Sequence, residues 1–396
     1  MTQDMEQFRA TVRAWAVQHA DPLIHERVRH ASDEEYRQIM VAQAALLDTA
    51  GYLTPHWPAG LGGGFTAEQQ AVLARELARA GFLTPSLLSI SLGHAAATIM
   101  LHGTPEQQHH LEAIRQGEVW CQGFSEPDAG SDLASLRTRA ARAGDHYVIN
   151  GRKIWSTYAQ LADYCLLLAR TDPGLPRHHG LSMFLLDLTT PGVQIRPIRQ
   201  ATGVWEFCEI SLIDVQVPLS SRLGAENDGW RIANTTLATE RSSQVIEQHA
   251  GLERALKMLA GECARTEVAP GIPAAKDAAV RQELGARIAE VEVLGALAET
   301  VVGGISRHGE AGPEGSLLKL CYSETLQQLT GLATRIRGVP ADLDSQGSID
   351  VGWISGDWLV DHIKSWTQTI AAGSNEIQRN IISERVLGLP RERPAR

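Results

Sequence analysis

The chain has no Cys-x-x-Cys pair, and its five cysteines (Cys121, Cys165, Cys208, Cys263 and Cys321) are scattered through 396 residues. That spacing argues against a zinc knuckle or a dithiol redox pair and fits reduced thiols in a cytoplasmic protein. No apolar run approaches the length of a membrane span. The segment from Met1 to His19 is polar and amphipathic, without the apolar core of a secretory signal. An excess of positive charge is also lacking. With 36 Lys and Arg against 46 Asp and Glu the net charge is −10, so nothing points to nucleic acid or to an anionic membrane. Aromatic residues make up only 5%, which decides nothing about the size of a pocket. No internal repeat or low-complexity tract is visible. What the chain does have is 43% hydrophobic content, enough for a large core and for two or three domains.

The hydrophobic period changes twice along the chain. Phe8, Val12 and Trp15 recur at helical spacing before Pro22, and Asp33 to Ala50 reads as a second helix. Thr66 caps a third, with Val72, Leu73, Leu77 and Ala78 on its buried face. Gly62-Gly63-Gly64 is not a phosphate loop, because no strand precedes it and no Lys-Ser/Thr follows. Ser86 to His102 is apolar almost all round and is expected deep in the core. Thr104-Pro105 opens a short helix to Gln116, with His109 and His110 expected as a solvated pair on its polar face. From residue 118 the pattern is that of strands. A hairpin turn is expected at Asn150-Gly151, with further strands at Cys165–Ala169, Met183–Leu186, Val193–Ile195 and Ile210–Leu212. Their spacing suggests a small antiparallel sandwich or barrel. After Gly229 the helical period returns, with a stripe through Trp230, Ala233, Leu237, Val245, Leu252, Leu256 and Leu259. The expected architecture is α+β: an N-terminal helical domain (1–117), a central antiparallel β domain (118–220) and a C-terminal helical bundle (221–396).

One stretch stands out for chemistry. Trp120 to Phe124 reads as a short strand that runs into Ser125-Glu126-Pro127-Asp128-Ala129-Gly130-Ser131-Asp132, where Pro127 and Gly130 require a turn. A strand that ends in a turn of small hydroxyl and acidic residues can offer donors to an oxygen-rich ligand. A second block, Asn150-Gly151-Arg152-Lys153-Ile154-Trp155-Ser156-Thr157, begins 25 residues after Ser125.

Together these two blocks resemble the flavin and substrate segments of the acyl-CoA dehydrogenase family. The resemblance extends over nearly the whole chain. It includes Trp57-Pro58, Gly103-Thr104-Pro105-Glu106-Gln107-Gln108, Asp214-Val215-Gln216-Val217-Pro218 and the terminal Gly373-Ser374-Asn375-Glu376-Ile377-Gln378-Arg379-Asn380. It implies FAD, an acyl-CoA thioester substrate, α,β-dehydrogenation to the enoyl-CoA, and an electron-transfer flavoprotein as acceptor. It also implies a C-terminal four-helix bundle. Carried over residue by residue, Phe124 and Ser125 would meet the flavin pyrimidine edge, Trp155 would pack beside the ring and Thr157 would reach its N5 side. Ser131 would lie on the thioester–CoA path. Arg281, Ser374 and Glu376 would reach the cofactor of a neighbouring subunit, so a homo-oligomer (dimer or tetramer) or a hetero-oligomer is implied. Plain alternatives stay open: core packing for Trp155, turn hydroxyls for Ser125 and Thr157, and a surface charge for Arg281.

The chain departs from the family pattern at two places. Gly338 to Asp357 lacks the family's Gln-x-x-Gly-Gly run, and Ala372 stands where many members carry the catalytic Glu. A subgroup places that Glu on the first helix of the C-terminal bundle, and Glu240 matches it. Arg241, next in sequence, and Ala372, through its backbone N–H, would contact substrate. Spacing supports Glu240 as well. It is three residues after Leu237 and five before Val245, beside the apolar stripe. Desolvation there would raise its pKa towards a range useful for proton abstraction, although a helix-pinning pair with an arginine would use the same place. Three functions therefore compete: the dehydrogenase, a non-catalytic or half-site subunit of a hetero-oligomer, and a related flavoenzyme with a carrier-bound or unusual substrate.

Overall fold

In the computed structural model, the described residues are 3–308, 312, 314–338 and 357–391, with side chains 237–247 and 305–308 outside the description. Six helices come first: α1 (Gln3–His19), α2 (Ile24–Arg29), α3 (Asp33–Thr49), α4 (Ala67–Ala80), α5 (Ala96–His102) and α6 (His109–Arg115). Ser32 and Thr66 cap α3 and α4 in reciprocal capping boxes with Glu35 and Gln69. Ser86 to His102 is largely buried, as its composition demands, but it is not one regular helix. A 3₁₀ turn and a π turn (Ile90–Ala95) lead into α5.

The expectation for His110 fails. The ring is buried, stands edge-on to Trp120 at 5.0 Å and to Tyr164 at 4.6 Å, and shares Glu118 Oε1 with the Trp120 indole N–H, each at 2.8 Å. A satisfied polar contact outweighs hydration here, and the histidine ties α6 to the sheet. Only His109 is exposed. Among the described residues no group of acidic, His or Cys side chains could hold a metal.

The strands are β1 (Trp120–Gly123), β2 (Arg139–Ala143), β3 (His146–Thr157), β4 (Tyr164–Arg170), β5 (Leu181–Asp187), β6 (Val193–Ile198), β7 (Phe207–Pro218) and β8 (Arg222–Leu223). They form one mostly antiparallel sheet in the order β6-β7-β3-β2-β4-β5-β8, while β1 pairs parallel to β4. At β2 the connection to β4 is the single pair Arg139–Arg170, and there the sheet folds over. A Cβ placed on Gly123 would lie 3.5 Å from Lys153 Cγ, so β1 stacks on β3. Cys165 and Leu167 face the core between the layers; Leu166 and Leu168 face the N-terminal helices.

Asn150-Gly151 is not a hairpin turn. The β2–β3 turn is Gly144-Asp145, and β3 runs straight through Asn150 with a bulge against β7. The Asn150 side chain is used across the sheet, bonded to Asp214 Oδ1 at 3.0 Å and to Asp214 N–H at 2.9 Å. Gly151 is required for close approach, since a Cβ would meet Thr138 Oγ1 at 2.4 Å.

The C-terminal helices are α7 (Gly229–Cys263), α8 (Ala278–His308), α9 (Glu314–Arg337), α10 (Trp358–Ile370) and α11 (Asn375–Ile381). A small hairpin that the sequence pattern did not show, β9 (Glu267–Ala269) with β10 (Ile272–Pro273), joins α7 to α8. Leu252, Leu259, Leu294, Leu318, Leu326, Leu329 and Trp358 form the bundle core. Among the described residues no helix is long and apolar enough to cross a membrane. Gly229 seats the start of α7 on the backbone of Ser182 in β5, where a Cβ would come within 2.6 Å. Gly229→Ala is expected to destabilise the protein by about 1–3 kcal/mol, the scale of overpacking against an immobile neighbour, read as a lowered Tm.

Candidate active site

The two sequence blocks meet in space, and a buried ion pair brings them together. β1 ends at Gly123, and Glu126 and Ala129 close the following turn through reciprocal N–H···O bonds of 3.0 Å around Pro127 and Asp128. Lys153 on β3 is fully buried. Its ammonium donates to Glu126 Oε1 at 2.8 Å and to the Phe124 carbonyl at 3.1 Å. The backbone N–H groups of Arg137 and Thr138 donate to the same carboxylate at 2.7 and 2.8 Å. The Ile154 N–H donates to the Ser125 carbonyl at 2.9 Å. Burial alone would raise the Glu126 pKa, but the Lys153 charge and these donors outweigh it and hold the carboxyl below its ordinary value. Burial lowers the Lys153 pKa, and Glu126 opposes that shift. The Glu126 carboxyl therefore stays ionised at neutral pH opposite the lysine.

Beyond Lys153 the strand is strained open. Trp155 holds the left-handed conformation with φ 63° and Tyr158 with φ 50°, an uncommon backbone for an aromatic residue. The register against β7 shifts between Lys153 and Ser156, which turns Trp155 outward with 55% exposure. Its ring stands edge-on to Phe207 at 6.1 Å. Thr157, paired with Phe207, is half-buried, as is Ser125, and Phe124 is buried. An open indole face beside two hydroxyl-bearing residues suits a flat ring with acceptors along its edge. Ser131 is exposed further along the turn, next to the Asp132–Arg177 ion pair at 2.8 Å.

The C-terminal bundle approaches this surface through α10 and the loop after it. The Tyr158 N–H donates to the Glu206 carbonyl at 2.7 Å, and the buried Glu206 carboxylate lies 3.6 Å from the buried Lys364 ammonium on α10. After α10, Ala372 takes φ 54° and Gly373 φ 84°. The loop is held by its carbonyls, Ala372 O by Gln378 Nε2 at 2.9 Å and Gly373 O by Lys319 Nζ at 2.9 Å. None of these bonds uses the Ala372 N–H. Ser374 caps α11 by accepting from the Ile377 N–H, and Glu376 is exposed in its first turn. Its own backbone N–H and the Ser374 hydroxyl hold the Glu376 carboxyl below its ordinary value.

Three further expected site residues lie on the helices of the bundle. Arg281 is exposed near the start of α8 and lines a groove of about 290 Å³ with Cys263, Leu284, Gly285 and Ile288. α8 packs on α4, α7 and α9. Glu240 and Arg241 lie on α7, and their side chains are outside the described residues. Residues 339–356, which carry most of the departure from the Gln-x-x-Gly-Gly pattern, lie outside them as well.

Comparison with known proteins agrees with this arrangement. The chain matches the acyl-CoA dehydrogenase N-terminal domain over residues 2–118, the middle domain over 121–215 and the C-terminal domain over 227–387. It is 38% identical to the acyl-CoA dehydrogenase IpdE1 of Mycobacterium tuberculosis over 405 aligned positions, covering 98% of this chain and 99% of that one. It is 40% identical to the acyl-CoA dehydrogenase FadE34 of the same organism, covering 91% of this chain but only 47% of that protein's length. Among solved structures, the Tcur3481-Tcur3483 steroid ACAD superposes with a TM-score of 0.84 at 27% identity, over 99% of both chains. The ChsE4-ChsE5 complex from Mycobacterium tuberculosis superposes with a TM-score of 0.83 at 29% identity, over 99% of both chains. The chain belongs to the acyl-CoA dehydrogenase family, whose members are flavin oxidoreductases acting on CH–CH bonds. The family's cofactor is FAD, and the exposed indole with its flanking donors fits the flavin end of it.

Sequence reasoning missed the residues that hold the site rather than face it: Glu126, Lys153, Glu206, Lys364, Lys319 and Gln378. Glu126 and Lys153 both sit inside the blocks that carried the resemblance, but a charge run reads as surface unless its partner is known. Lys153→Met is expected to cost about 3–5 kcal/mol, because Glu126 would be left buried and unpaired. Adding Glu126→Gln should recover part of that loss. The pH dependence follows from the depressed Glu126 carboxyl. Its contribution is complete above the ordinary value of 4.5 and is lost as pH falls through the lower folded value. Thermal melts across the acid range should show a decline in wild type that Glu126→Gln flattens.

Proposed function

We propose that the protein catalyses FAD-dependent α,β-dehydrogenation of an acyl-CoA thioester to the enoyl-CoA in the cytoplasm, with an electron-transfer flavoprotein as acceptor. The observation that carries this reading is the Ser125–Ile154 and Lys153–Phe124 bonding, which clamps the two blocks into one surface with Trp155 laid open. When bound, the flavin supplies the hydride acceptor. The chain's own residues bind, orient and move the proton. Phe124, Ser125, Trp155 and Thr157 receive the cofactor ring. Donors at Ser125 and Thr157 stabilise negative charge on the ring, as an oxyanion hole does. Ser131 and Arg241 contact the thioester and CoA. The Ala372 N–H, left over by the bonds that fix its loop, polarises the thioester carbonyl. Glu240 removes the α-proton. Polarising the carbonyl from one helix end and taking the proton from another element makes the α-proton acidic without a carboxylate at position 372.

The same reading makes the protein an oligomer. Arg281, Ser374 and Glu376 are cofactor contacts across a subunit boundary, and a guanidinium is suited to the pyrophosphate. Exposed Trp366 and Ile370 on α10 and exposed Leu387 and Leu389 beyond α11 supply apolar surface for it. A second reading has a different but related chain complete the site. Ala372 and the lack of a Gln-x-x-Gly-Gly run favour it, and the solved ChsE4-ChsE5 relative is a complex.

Two experiments test these readings. Glu240→Gln keeps the size and removes the charge, so FAD binding should survive while anaerobic flavin reduction by acyl-CoA slows by about two orders of magnitude or more. Reduction at the wild-type rate would move the base elsewhere. The visible spectrum of the purified chain, alone and after co-expression with a related chain, separates the homo- from the hetero-oligomer. Full flavin loading of the chain alone refutes the two-chain reading, and a flavin-loaded active monomer refutes both.

A further inference from the structure

His94 is a buried polar side chain with no part in the proposed cofactor surface. It lies in the π turn Ile90–Ala95, and such turns concentrate at functional sites. The residue is only 6% exposed, and its Nδ1 is buried with no hydrogen-bond partner. A buried imidazole nitrogen left unpaired costs stability and calls for a reason.

The register between α5 and α7 places it. Thr98 Oγ1 and Thr236 Oγ1 are 2.8 Å apart in a buried contact. At the far end of α5, His102 feels the charges of Arg231 and Asp228 near the start of α7. The two helices therefore run antiparallel, and the π turn also packs on α7. One turn back from Thr98 is His94; one turn on from Thr236 is position 240. Thr98 also donates to the His94 carbonyl at 2.6 Å, which fixes the turn. On the other side, β1 meets the π turn through the Trp120 N–H, which donates to Ser91 Oγ at 2.8 Å. Gln122 on β1 has a buried Nε2 that is also without a partner. It is two residues before Phe124, at the start of the proposed cofactor surface. Two unpaired polar groups thus lie on adjoining elements, His94 in the π turn that packs on α7 and Gln122 on β1, which leads to the proposed flavin edge.

We infer that His94, supported by Gln122, is a specificity-determining residue that hydrogen-bonds an oxygen substituent, hydroxyl or keto, on the acyl group close to the reacting carbons. The thioester carbonyl is already served by the terminal loop, and an unsubstituted alkyl chain offers an imidazole nothing. An oxygen on the acyl group would give the His94 ring the partner it lacks. A site built this way rejects the analogue that lacks the oxygen, because its own polar groups then stay buried and unpaired. The inference rests on the dehydrogenase reading with Glu240 as base.

The test uses the flavin-loaded complex and two acyl-CoAs that differ by one hydroxyl at the carbon next to the reacting pair. Wild type should favour the oxygenated substrate in flavin reduction by about 100-fold or more. His94→Phe should bring that ratio towards one by slowing the oxygenated substrate and sparing the other, and His94→Gln should restore part of it. Binding of a non-oxidisable pair of the same thioesters, followed by calorimetry, should show the same ratios without turnover. No preference in wild type, or an equal loss on both members of the pair in His94→Phe, overturns the inference. If no acyl-CoA reduces the flavin, the dehydrogenase reading fails, and the non-oxidisable pair still decides whether His94 recognises the oxygen.

Discussion

The site depends on the buried pair between Glu126 and Lys153. One partner follows β1 and the other is in the middle of β3, in different layers of the folded sheet. A buried ion pair is weak evidence for net stability, since desolvation offsets most of the attraction. Its effect here is on geometry. With its lone pairs shared between an ammonium and two backbone N–H groups, the carboxylate admits one arrangement of the turn. The ammonium in turn fixes the Phe124 carbonyl. Hydrogen-bonded charge in a dry interior is costly to rearrange, so the turn cannot slide along the strand. The bulge that turns Trp155 outward begins immediately after the lysine.

The C-terminal half is attached by a second buried charge pair, Glu206 with Lys364, and by the carbonyl-anchored loop at Ala372 and Gly373. A left-handed alanine costs on the order of 1 kcal/mol relative to glycine. The loop keeps it because Gln378 and Lys319 hold both carbonyls. The proposed division of labour follows from this. A loop that lacks a carboxylate but has fixed backbone can orient a thioester, while a long helix seated on the sheet by Gly229 supplies the base. In the proposed arrangement Arg281, on a helix that packs within the bundle, serves the cofactor of another subunit.

The order of helical, β and helical regions was legible in the sequence because each burial period is sustained over many residues. Individual elements were misread where tertiary contacts override local chemistry. Asn150-Gly151 has the composition of a hairpin turn, yet it crosses the sheet as a bulge because Asn150 finds Asp214 and Gly151 admits Thr138. His110 reads as half of a solvated pair, yet Glu118 and two aromatic rings bury it. The proposed cofactor-facing residues could be named from motif resemblance. The residues that hold them could not, since Lys153 and Lys364 look like ordinary surface lysines until their carboxylates are placed opposite. His94 carries no sequence signal at all. Its position relative to Glu240 follows from the Thr98–Thr236 register, which no local pattern encodes.

The central claim is that the clamped blocks form a flavin surface with the Trp155 ring against the cofactor. The fluorescence lifetime of FAD bound to the protein tests it directly, because an indole in contact with a flavin quenches it by electron transfer. A strongly shortened lifetime is expected in wild type and a clearly longer one in Trp155→Phe at equal flavin occupancy. Equal lifetimes in the two proteins would contradict it.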